Sequence, residues 1–145
     1  MKAPIYILVL LLSHISISAG TFQNTGNISL QIEGIEYKGG TVMIALFGEN
    51  DKFLKEPSYS KEIPIKNEES ISVIFKSIPF GKYAISIYHD LNDNEKLDAN
   101  FIKIPKEPIG FSNNYFPKFG PPSFKGASFI LESENQEMVI TLKTY

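Results

Sequence analysis

The chain has 145 residues, a formal net charge of −2, no cysteine and no tryptophan. Apart from histidine, every basic side chain is lysine and no polybasic run occurs, which argues against nucleic acid, whose bases and phosphates are gripped by the arginine fork. Lack of cysteine rules out a disulfide framework, a thiol nucleophile and thiolate-bound zinc. His14 and His89 are the two histidines, so multi-histidine metal sites within one domain are excluded as well.

The first segment, MKAPIYILVLLLSHISISAG, begins with one lysine. An apolar run from Ile5 to Leu12 follows, then the small residues Ser16, Ser18 and Ala19, which is the pattern of a cleaved secretory signal. The run falls short of the about 20 apolar residues that a spanning helix needs. The expected layout is a signal at 1–19 and one domain at 20–145, with no stable membrane span. The destination is the periplasm, or the exterior of a cell with one membrane.

Beyond that point the apolar positions alternate. Ile28, Leu30 and Ile32 share one face of NISLQIE, as expected for a half-buried strand. KGG at 38–40 turns the chain into TVMIALF, which is apolar on both faces and reads as a central strand. A weaker strand is expected at KEIPIK, 61–66, then one at ISVIFK, with Ile71, Val73 and Phe75 together. After PFG at 79–81, KYAISIYHD puts Tyr83, Ile85 and Ile87 inward, with His89 in the same register. ASFILES and MVITLKTY, separated by ENQ, read as a hairpin burying Ala127, Phe129 and Leu131 opposite Met138, Ile140 and Leu142. Only DKFLK at 51–55 suggests a helical turn. The expected fold is all-β, a single sandwich of about seven strands, immunoglobulin-like or transthyretin-like. Residues 91–123 form one long connection. Its many aromatics predict that it is ordered against the sandwich rather than disordered.

HDLNDNEKLD at 89–98 is the first candidate site. Calcium takes about six to eight oxygen ligands, and a tightly curled loop supplies them from alternate residues. Asp90, Asn92 and Asn94 stand at positions one, three and five of such a loop, Lys96 offers its carbonyl at seven, and Asp98 stands at nine. This is the opening of an EF-hand signature starting from a strand. Two positions depart from it: Glu95 stands where glycine is usual, and Phe101 where a bidentate glutamate is usual. Glu107 is a candidate distal ligand. With so few carboxylates, a dissociation constant of about 10⁻⁴ to 10⁻³ M is expected. The competing reading is a polar turn, because Asp and Asn bond readily to their own backbone.

His89 with Asp90 or Glu107 is the alternative, as the acid/base pair of a small hydrolase. Ser112 and Asp90 are the available partners for a triad, without a G-x-S-x-G elbow to support it. Phe111, Tyr115, Phe116 and Phe119 make a candidate contact surface for a glycan or protein partner. They serve equally as anchors for the long loop.

The block at 79–129 resembles the bacterial exported family catalogued as domain of unknown function 2141. The likeness rests on Gly81, Tyr83 and Ala84, on His89, Asp90, Asn92, Asn94, Lys96, Leu97 and Asp98, and on Pro105, Glu107, Gly110, Phe111 and Ser112. Glu95 and Pro108 replace glycines of the family pattern. The resemblance implies a signal followed by one β-rich domain, with His89, Asp90 and Glu107 in one structural unit, and it carries no established activity. The resulting expectation is an exported non-enzymatic module with a weak calcium loop. The alternatives are the small hydrolase and a purely structural loop without metal.

Overall fold

In TGNISLQIE, Thr25–Glu33, Gly26, Ile28, Leu30 and Ile32 are buried while the intervening side chains face outward, so the period-two pattern becomes strand β1. The computed structural model describes residues 24–118 and 120–144; the expected signal segment and Phe119 lie outside them. Seven more strands follow: β2 Thr41–Gly48, β3 Tyr59–Pro64, β4 Ser70–Pro79, β5 Gly81–Asp90, β6 Ile109–Phe111, β7 Phe129–Leu131 and β8 Asn135–Thr141. Pro64 closes β3, which lies at the edge of its sheet, where a missing N–H costs no ladder bond.

The strands form two layers. One is a three-stranded sheet in the order β4-β1-β8, and the other runs β3-β2-β5-β6 with β7 also on β5. β1 pairs antiparallel with β4 but parallel with β8. Ile28, Leu30, Val42, Ile44, Ile85 and Ile87 meet between the layers in the main core. This is the expected β-sandwich of about seven strands, with eight among the described residues.

ASFILES and MVITLKTY do not pair with one another. β7 joins β5, with Gly81 opposite Leu131, whereas β8 joins β1 in the other layer. Alternation tells which face of a strand is buried and is silent on which strand lies beside it. Leu131 and Ile140 therefore both reach the core, from opposite walls. Ala127 sits in a short helix, α1 Phe124–Ala127, ahead of the strand. DKFLK makes turns, tied by a Lys52–Glu56 ion pair of 2.8 Å.

The long connection is ordered, as its aromatic content implies. Phe111 and Ala127 are buried with Ala84 and Ile109 in a second apolar cluster, against which Phe53, Tyr115, Phe116 and Phe124 pack. Ala84 alternates with the inward Tyr83 and Ile85 of β5, so this cluster covers the outer face of the five-stranded layer. At Gly110 the chain passes so close to β8 that a Cβ would stand 2.9 Å from Ile140 Cγ2 and 3.0 Å from Leu142 Cδ2. Among the described residues, no helix is long and apolar enough to cross a membrane.

Strand pairing fixes which loops are neighbours. Thr41 faces both Asp90 and Pro64, and Glu33 faces Ser70. The 34–40, 65–69 and 91–108 connections therefore gather at one end of the sandwich.

Candidate functional site

His89 and Asp90 are adjacent in β5 and so point to opposite faces. His89 continues the inward register and is 0% exposed, with its ring Nε2 2.8 Å from the Gly39 carbonyl. A carbonyl only accepts, so Nε2 carries the proton; Nδ1 is buried without a hydrogen-bond partner among the described residues. Gly39 and Gly40, at φ 82 and 71, bring this carbonyl into place. A Cβ on Gly40 would collide with the backbone oxygen of Asp90, which is why KGG ends in two glycines.

Asp90 faces the loop and is 1% exposed. Its Oδ1 accepts from the Asn94 amide at 3.2 Å and its Oδ2 from the Glu95 amide at 2.6 Å. Asn92 Oδ1 accepts from the Asn94 amide at 3.3 Å, and Asn94 Oδ1 from the Lys96 amide at 2.8 Å. These bonds curl the backbone so that alternate side chains converge. Asn92 Nδ2 donates to Asp98 Oδ2 at 2.9 Å, and Asn94 Nδ2 approaches both Asp98 oxygens at 3.3 Å. The side chains of Asn92, Asn94 and Asp98 thus meet, as the spacing suggested. Thr41 Oγ1 ties the loop to β2 through Asp93 Oδ1 at 2.8 Å; nothing in the spacing singled out Asp93.

Glu107 stands behind the curl and is 3% exposed. Its Oε1 accepts from the Leu91 amide and its Oε2 from the Asp98 amide, both at 2.9 Å. One carboxylate therefore clamps the two ends of the acidic loop. Burial, then the nearby Asp90 and Glu107 charges, push the Tyr88 phenol above its usual value of 10.0.

Glu95 adopts φ 61, the left-handed conformation that favours glycine at this point of the curl. Glu95→Gly is accordingly expected to raise the unfolding free energy by about 0.5–1 kcal/mol. Urea denaturation of the two proteins measures it, and an equal or lower midpoint would show that the conformation carries no strain.

The residues of the hydrolase alternative do not converge. Ser112 is fully buried and its hydroxyl accepts from the Ile85 amide at 2.8 Å and donates to the Ala127 carbonyl. Ile85 lies four residues from His89 along an extended strand, about 13 Å away. Asp90 and Glu107 are both engaged by loop amides rather than by His89. A concavity of about 560 Å³ between the 34–38 and 67–69 loops is lined by none of these side chains.

The aromatic set is likewise committed to packing. Phe111 is buried with its ring 5.9 Å from that of Phe116 in an edge-to-face arrangement. Tyr115 lies flat on Gly126, where a Cβ would strike its ring. Between them the polar tripeptide Ser112–Asn114 serves backbone groups of both layers. Asn113 Nδ2 donates to the Ser128 carbonyl at 2.9 Å. Asn114 gives to the Val139 carbonyl at 3.1 Å and takes from the Thr141 amide at 2.9 Å. No pattern in the sequence announces this stitching.

Among the described residues, no group of three or more His, Asp or Glu side chains is placed to hold a metal ion. A cation here would depend on the asparagine and carbonyl oxygens as well. The fold and its end loops define an all-β sandwich with a buried-carboxylate loop at the end of its central strand. Residues 30–139 match the family described as an uncharacterised protein conserved in bacteria (DUF2141), and the chain belongs to that family. No curated protein and no solved structure matches it.

Proposed function

We propose that the chain is an exported, non-catalytic β-sandwich module whose 90–98 loop takes up a calcium ion with low affinity. The observation that carries this reading is the pair of buried carboxylates, Asp90 and Glu107, with no basic side chain bonded to either. Among the described residues the ion pairs are Lys52–Glu56 and Lys82–Glu49. Buried charge is ordinarily matched by an opposite charge or by a metal, and here backbone N–H groups supply the whole of the visible compensation. The donor set suits a hard cation. Asp90, Asn92, Asn94 and Asp98 contribute side-chain oxygens, and Lys96 a carbonyl. Each amide oxygen has a second lone pair beyond the one used in the loop. Glu107 braces the loop from behind and adds negative charge. The bound ion would fix the loop and neutralise it. With Phe111 buried, the half-buried Tyr115 and Phe116 are the described members of the aromatic set open to a glycan or protein that visits this segment.

The thermal midpoint in EDTA and in 5 mM calcium tests this. With a dissociation constant of about 1 mM, calcium raises stability by about 1 kcal/mol, or a few degrees. Asp98→Asn is the informative variant, because Asp90 also accepts two amides and its removal destabilises the loop even without metal. The rise is expected in the parent protein and lost in Asp98→Asn. No rise in the parent would make the loop a polar turn held by its own hydrogen bonds.

A further inference from the structure

Eleven residues beyond the end of β5, Phe101 is 96% exposed and its neighbour Ile102 61% exposed. Leu97 and Ile104 are also exposed. They form a concentrated group of solvent-exposed apolar side chains among the described residues, with Phe101, Ile102 and Ile104 in one tight turn and Leu97 just before it. The turn is not slack. Asn100 Oδ1 accepts from the Ile102 amide at 3.0 Å and the Ile104 amide at 2.9 Å. The Asn100 amide bonds to the Ile104 carbonyl and the Lys103 amide to the Asn100 carbonyl, both at 2.9 Å. An Ala99–Pro105 bridge and a Lys106 amide to Asp98 carbonyl bond close its base.

We propose that this turn is a membrane-contact tip that seats Phe101 and Ile102 in the headgroup region of an anionic phospholipid surface. Three observations select that occupant. The turn itself, residues 99–106, carries Lys103 and Lys106 and no carboxylate, with Lys96 just before it; the acidic Asp93, Glu95, Asp98 and Glu107 belong to the loop at its base. All three lysines are exposed, and none forms an ion pair among the described residues. Lysine stems bury readily at an interface while their ammonium groups reach anionic headgroups. Second, the amides of Asn100, Ile102, Lys103 and Ile104 are satisfied inside the turn, so entry into a water-poor layer strands none of them. Third, a convex tip of four apolar side chains is too small for a stable protein interface, which buries at least about 1,000 Å². A lipid surface demands no such area, since apolar side chains and nearby lysines act additively on it. The inference does not require a metal in the acidic loop.

The absence of tryptophan provides a clean probe. In the full chain, Phe101→Trp is expected to shift its emission to the blue on addition of vesicles of phosphatidylglycerol and phosphatidylcholine. With pure phosphatidylcholine the shift is much smaller. Sedimentation with the same vesicles is expected to fall at least about tenfold in the Phe101→Ser, Ile102→Ser double variant, given the apolar area removed. Both variants keep the apolar 5–12 run, so the comparison isolates the tip, and substitution of exposed side chains leaves the thermal midpoint in place. An unshifted emission, undiminished sedimentation of the double variant, or equal sedimentation with neutral vesicles would overturn the proposal.

Discussion

Replacing Glu107 by alanine is expected to lower the unfolding free energy by about 3 kcal/mol, a drop of roughly 10 °C in thermal midpoint. The effect comes from two backbone amides rather than from a salt bridge. Leu91 and Asp98 both donate to this one carboxylate at 2.9 Å, and bonds to an ionised acceptor are worth more than neutral ones. Truncation leaves both N–H groups without their acceptor in a largely covered site. Glu107→Gln recovers little, because the side-chain amide offers one oxygen and turns an NH₂ toward the second donor. It is expected to cost about 2 kcal/mol. Urea denaturation of the three proteins measures the series. A loss below about 0.5 kcal/mol for Glu107→Ala would mean that the loop keeps its curl without the clamp.

Ser112→Ala is expected to cost about as much, roughly 3 kcal/mol, for a different geometrical reason. β6 and β7 share one edge of β5, pairing with residues 86–88 and 81–83 respectively. Between them the strand has no backbone neighbour, and the Ser112 hydroxyl fills the gap by taking the Ile85 amide and giving to the Ala127 carbonyl. Alanine keeps the packing and removes both bonds; the buried Ile85 donor is stranded, while the Ala127 carbonyl keeps its bond from Asn113 Nδ2 at 3.2 Å. Hydrogen exchange at the Ile85 amide gives a local readout: its protection should collapse well before that of Ile44 and Ile87 in the centre of the sheet. Unchanged protection would show that another group completes the edge.

The same serine shows where the sequence misleads. A serine near a lone histidine and several carboxylates invites a triad, but a residue list carries no distances, and backbone hydrogen-bond needs leave no periodic trace. Strands β1, β4 and β5 were legible because each is long enough for alternation to show, and β2 because its run is apolar on both faces. β6 was not: three residues between Pro108 and Ser112 carry no period. The curl of the acidic loop was legible, since Asp90, Asn92 and Asn94 bond to the amides ahead of them in the way that spacing implies. The clamp by Glu107 was legible only as proximity, from its place as a candidate distal ligand and from the family likeness. Its role depends on a chain reversal at 99–105 that no local pattern announces. Phe101 was read as the absence of a glutamate; its exposure at a braced turn emerged only from the fold.

The position of β1 governs when the fold can form. This strand lies between β4 and β8, with Ile32 opposite Ile71 on one side and Ile140 on the other. Parallel neighbours cannot be linked by a tight turn, so among the described strands the first made must wait for the last before its layer is complete. Contacts of such long sequence separation slow folding, and until they form β1 presents a bare edge to its surroundings. Closure is thus timed by the arrival of Thr141. A chaperone that meets the extended chain has until β8 emerges in which to hold it open.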